Sequence, residues 1–136
     1  MTDTVLDYIK NKCTHIEGDA YTFNFDKLLF NPPVADELFN QMVPKCFPED
    51  EFQIIGPDPI ILVHIQYHFY QKLNRIIPVY NQTSDLPIVY VDAMISDESP
   101  IMPYRVCILN IRSDEKEVDN VVKSMYDIID VVEKED

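Results

Sequence analysis

The residue types best suited to chemistry cluster at Asp92, Ser96, Asp97, Glu98 and Ser99. Carboxylates and hydroxyls together bind hard cations such as magnesium, or the hydroxyls of a sugar. They follow Ile88–Val91, a short β-branched and aromatic run that reads as a buried strand ending on Asp92. Open α/β sheets bind ligands where strands end in this way. A second candidate is the turn Gly56-Pro57-Asp58-Pro59, which places Pro57 and Asp58 just after the strand Phe52–Ile55. The loop after Asp92 holds no glycine, and the whole chain has two, Gly18 and Gly56, beside ten prolines. Phosphate cradles present backbone N–H groups at close range, usually from several glycines. No Gly-x-Gly-x-x-Gly or P-loop spacing occurs.

Other reactive side chains read as packing. His64 and His68 are four apart, a spacing that can bind metal, but no third ligand stands nearby. Cys13, Cys46 and Cys107 are widely spaced and read as buried small hydrophobes. Their odd number, with no signal-peptide pattern at Met1–Asp7, implies free thiols in a reducing, cytoplasmic setting. The longest apolar stretch, Ile54–Val63, is broken by Pro57, Asp58 and Pro59 and is too short to cross a membrane.

The formal charge is −13 over 136 residues, with 24 acidic against 11 basic side chains. That excludes direct electrostatic binding of nucleic acid, which needs clustered Lys and Arg. It is compatible with a basic protein partner or with solubility alone. The length and the 46% apolar content predict one domain over residues 1–136 with a sizeable core.

The elements that must position these residues follow from local signals. Thr2 or Asp3 caps a short helix through Ile9, ending near Cys13. Gly18-Asp19 turns into a strand over Ala20–Phe25. Asn31-Pro32-Pro33 opens a helix that runs to about Val43 and stops at Pro44. Ile60–Asn74 fits a strand period through Ile61, Val63, Ile65, Tyr67 and Phe69 and a helical one through Leu62, Ile65, Phe69 and Leu73; its length and the capping Asp58-Pro59 favour a helix. Arg75–Tyr80 reads as an edge strand containing Pro78, and Arg105–Ile111 as a further strand. Ser113 caps a last helix, whose stripe is Val118, Val121, Val122, Met125, Ile128, Ile129 and Val132. Alternating strands and helices predict an α/β domain: a largely parallel sheet flanked by helices, with a C-terminal amphipathic helix.

In order and spacing the chain resembles the type I phosphoribosyltransferases, orotate phosphoribosyltransferase in particular. The resemblance rests on Tyr21–Asp26 with its following helix, on Phe52–Pro59, and on Ile88–Asp92. It implies a phosphoribosyltransferase-like fold, with Asp92 where the family's phosphoribosyl-pyrophosphate loop begins. In that family two adjacent acids hold the ribose, and a glycine-containing loop wraps the 5′-phosphate. Here Ala93 follows Asp92, and Asp97 and Glu98 stand where they would repel a phosphate. Pro57 and Pro59 lack N–H donors in the pyrophosphate turn. The long basic loop of the family is reduced to Asn81–Asp85, without Lys or Arg. The expectation is a degenerate member that has lost the reaction, needs no cofactor, and works by protein binding or as a homodimer. Two alternatives stand beside it. One is a divergent enzyme or sensor holding magnesium, a nucleotide or a sugar phosphate at Asp92, Ser96, Asp97, Glu98, Ser99, Pro57 and Asp58. The other is an acidic mimic of nucleic acid that blocks a basic protein.

Overall fold

The computed structural model describes residues 3–80, 83–112 and 121–132. Helix α1 spans Thr4–Tyr8 and continues as a π-helical turn over Ile9–Cys13. Asp3 caps it, its Oδ1 accepting the Leu6 N–H at 3.1 Å, which satisfies one of the orphan donors of the first turn. A hairpin follows, β1 (Thr14–Glu17) with β2 (Ala20–Phe23), turned by Gly18 at φ 65°. Glycine carries no Cβ penalty in that left-handed region. Neither β1 nor the single turn α2 (Asp26–Leu29) was signalled by local pattern.

Helix α3 (Pro32–Cys46) starts as expected, with Asn31 as cap and proline at its first positions. It does not stop at Pro44. Cys46 and Phe47 are buried, the Cys46 carbonyl accepts the Tyr104 hydroxyl at 2.8 Å, and Lys45 Nζ donates to the Met125 carbonyl at 3.1 Å. Those contacts offset the single backbone hydrogen bond that Pro44 removes. Strand β3 (Gln53–Ile55) leads through the Gly56–Asp58 turn into α4 (Pro59–Leu73). Asp58 caps α4 by accepting the Ile60 N–H at 2.9 Å, and Asn74 closes it at φ 54°.

Strands β4 (Ile88–Ile95), β5 (Tyr104–Asn110) and β6 (Val121–Asp127) complete a four-stranded parallel sheet in the order β3-β4-β5-β6. This is an α/β fold with a parallel sheet flanked by helices. Three sequence expectations change. The segment expected as an edge strand at Arg75–Tyr80 makes one parallel bridge, Val79 to Ile54, on the outer edge of β3. Pro78 cannot donate to a ladder, so pairing does not spread. Strand β4 does not end on Asp92 but runs three residues further. The long C-terminal helix is replaced by β6 and a short helix, α5 (Ile128–Val132). Val121 and Val122 are β-branched and pair with Tyr104 and Arg105, a setting that suits a pleated surface better than a helix. The expected cap Ser113 and the stripe residue Val118 lie outside the described residues.

The sheet has unlike faces. Val89, Val91, Val106 and Ile108 point into the main core with α1 to α4. Tyr90, Ile95 and Cys107 form a small second core with Ile55, Met102 and Val122. Residues 96–103 connect β4 to β5, too few for the helix that usually links parallel strands. They return over the second face, where the Pro100 carbonyl accepts from Arg105 Nη1 at 2.9 Å. Arg105 is fully buried there.

Candidate functional site

The seven residues read from the sequence fall into two places. Pro57, Asp58 and Asp92 meet near the end of β3. Gly56 brings them together, because its backbone packs directly on the Val91 carbonyl. A Cβ at Gly56 would collide with that oxygen, so only glycine allows the approach. Ser96, Asp97, Glu98 and Ser99 sit in the turn after β4. Asp92 and Ser96 are four residues apart on extended chain, roughly 13 Å at the strand rise. The structure does not gather all seven around one point.

Asp92 is half-buried in β4, not presented at a strand end. Its Oδ1 accepts the Ala93 N–H at 2.7 Å, and its Oδ2 accepts the Tyr90 hydroxyl at 3.4 Å. Burial raises its pKa, and the nearby Asp58 charge pushes the same way, against the hydrogen bonds from Ala93, Tyr90 and Met94. Tyr90 is raised too, first by burial and then by Asp92. Asp58 spends its Oδ1 on the α4 cap. Asp92 is therefore engaged at both oxygens and Asp58 at one.

The turn 96–99 closes on itself. The Ser96 N–H donates to Ser99 Oγ at 3.0 Å, and the Ser99 N–H to the Ser96 carbonyl at 3.1 Å. The Glu98 N–H donates to Ser96 Oγ at 3.2 Å. A phosphate loop needs such N–H groups turned outward; here three are satisfied internally. Among the described residues no group of three His, Cys, Asp or Glu side chains is placed to hold a metal ion.

The histidines stand elsewhere. His64 Nε2 lies 2.8 Å from the Leu29 carbonyl, and its ring stacks on Phe39 with centroids 5.5 Å apart. His68 is buried one turn on, between α3 and α4. The thiols of Cys13, Cys46 and Cys107 are all free and buried. Among the described residues, no helix is long and apolar enough to cross a membrane.

A different surface emerges on α4. Its buried stripe is Ile61, Leu62, Ile65 and Phe69. Ile60, Val63, Tyr67 and Tyr70 form a second apolar stripe on the opposite side, spaced three, four and three. Tyr67 is 61% exposed and Ile76, beside it, 81%. Val63, Tyr67, Tyr70, Ile76 and Ile77 line one shallow hollow. Of the thirteen large hydrophobics exposed among the described residues, eight lie between Ile60 and Tyr80. Residues 59–84 also hold Lys72 and Arg75 but no Asp or Glu, in a chain with 24 acids. Sequence reading missed this face because it used the apolar residues of α4 once, to find a single buried side. The available signal was their excess: a helix packed on one layer needs one stripe, and α4 has two.

No protein-family model, curated protein or solved structure matches the chain.

Proposed function

We propose that this is a non-catalytic protein-binding domain whose contact face is the outer side of α4 with residues 76–80, and that this face takes a second copy of the chain. The apolar, acid-free character of that face carries the reading. At a net charge of −13, two copies meeting elsewhere on the surface bring like charges together. Over residues 59–84 that repulsion is absent. A stripe spaced three and four suits an isologous helix pair about a two-fold axis. Leu73 lies on the α3 side; the other seven side chains, exposed to this degree, offer on the order of 800 Å², about one partner's share of a standard interface. The reading also draws on the self-satisfied 96–99 turn and on the N–H donors missing at Pro57 and Pro59. Degeneration from a phosphoribosyltransferase-like ancestor is the history we propose for it.

Sedimentation equilibrium over a concentration series tests the contact. The unaltered chain should fit a dimer of the 15.9 kDa protomer, and Tyr67→Glu with Tyr70→Glu should fit a monomer with unchanged secondary structure. A wild-type chain that stays monomeric at every concentration overturns the second-copy reading. Magnesium-dependent turnover of phosphoribosyl pyrophosphate overturns the non-catalytic one.

A further inference from the structure

A cavity of about 320 Å³ opens between α3 and α4, around the corner of α4 from the face just described. Ala35 and Phe39 contribute from α3, and His64, Tyr67, His68 and Gln71 from α4. The Phe39 and His64 rings stack within 14° of parallel, and both residues border the cavity. Asp36 and Lys72 also border the cavity, bridged across the two helices at 3.7 Å, so they offer a ligand no net charge.

His68 is the informative residue. It is 8% exposed, yet neither ring nitrogen makes a hydrogen bond to the protein among the described residues. Its ring meets Phe69 edge to face and borders this cavity and a second hollow beyond it. Its nitrogens are not among the buried atoms left without a partner, so they open onto the cavity, where a ligand can replace water as their hydrogen-bond partner. Burial lowers its pKa, Lys72 adds to that effect and Asp36 opposes it. The ring is therefore neutral at pH 7, with one nitrogen a donor and the other an acceptor.

We propose that this cavity binds a small, uncharged, planar nitrogen heterocycle, packed beside the stacked Phe39–His64 pair and hydrogen-bonded to His68. The volume is at the small end of ligand sites and suits one or two fused rings. The aromatic pair, a self-neutralised rim and the neutral His68 imidazole select against charged or bulky ligands. The proposal rests on the cavity and His68 and not on the second-copy contact, with which the cavity shares Tyr67.

The probe is benzimidazole, titrated into the full chain and followed by amide and imidazole NMR signals. Saturable shifts should appear at Ala35, Phe39, His64 and His68, and the His68 pKa should fall further in the bound state. Indene, with the same outline and no nitrogen, should bind at least tenfold more weakly. His68→Phe, which keeps an aromatic ring, should lose benzimidazole binding by a similar factor. Where that variant does not fold, the benzimidazole–indene comparison on the unaltered chain decides. Absence of saturable shifts, equal binding of indene, or undiminished binding by folded His68→Phe would each overturn the proposal.

Discussion

Tyr126 donates its hydroxyl to Oδ2 of Asp3 at 2.9 Å, joining residues 123 positions apart. The other oxygen of Asp3 caps α1. One carboxylate thus starts the first helix and receives a hydrogen bond from the last strand. Asp3→Ala should cost about 2 kcal/mol, near the upper end for a lost cap, because it also leaves the Tyr126 hydroxyl without its acceptor. Tyr126→Phe should cost about 1 kcal/mol. Urea denaturation of both variants checks the order.

The same pair sets an alkaline limit. Burial raises the Tyr126 pKa above the ordinary 10.0, and Asp3 adds to it through the hydrogen bond and its charge. A raised folded-state pKa contributes stability that is complete below the unfolded value and is lost as pH rises toward the folded one. Stability should therefore fall as pH climbs past 10.0. Tyr126→Phe should flatten that fall in a pH series of melting temperatures.

Asp92 gives the opposite experiment at acid pH. Its pKa is raised from 3.8, chiefly by burial, so the folded state resists its ionisation. Its contribution is best below 3.8 and is lost as pH rises through the folded value. Asp92→Asn should raise the melting temperature at pH 7, with the gain shrinking as pH falls and vanishing below 3.8. A loss of stability at pH 7 would mean that the carboxylate is needed in its charged form, as a binding site requires.

Gly56 and Gly18 separate two reasons for glycine. Gly56→Ala drives a methyl group into the Val91 carbonyl and should cost about 3 kcal/mol, as severe overpacking does. Gly18 has positive φ but nothing within 4 Å of a Cβ, so Gly18→Ala should cost only about 1 kcal/mol of backbone strain. Unfolding midpoints of the two variants test the ranking.

Salt separates the proposed partners. Screening weakens repulsion between two copies of an acidic chain, so self-association through α4 should strengthen from low to moderate salt. Attraction to a basic protein would weaken over the same range. Sedimentation at two ionic strengths distinguishes them.

The legible elements carry their own boundary chemistry. Asn31-Pro32 and Asp58-Pro59 announce α3 and α4 because a side-chain acceptor and a donor-free ring solve the same end problem locally. The β-branched run of β5 was equally plain. Strand β6 was not, since its Val, Met and Ile spacing satisfies a helical period as well as a strand. What decides it is distant: the ladder from β5 and the burial of Met125 and Tyr126. The candidate residues were visible as types, but whether their polar atoms were already engaged was not. Ser96 and Ser99 look like ligands in a string of letters, and become each other's partners only when the turn folds.

Strand order in the sheet follows chain order, β3 to β6. A chain emerging from its N-terminus therefore never has to hold a gap open for a strand not yet made. Each new strand docks on an edge already in place, and no step waits for a strand made later. Parallel sheets with interleaved strands wait for distant partners and fold slowly. This one can grow vectorially, one edge at a time, with β6 as the last edge laid down.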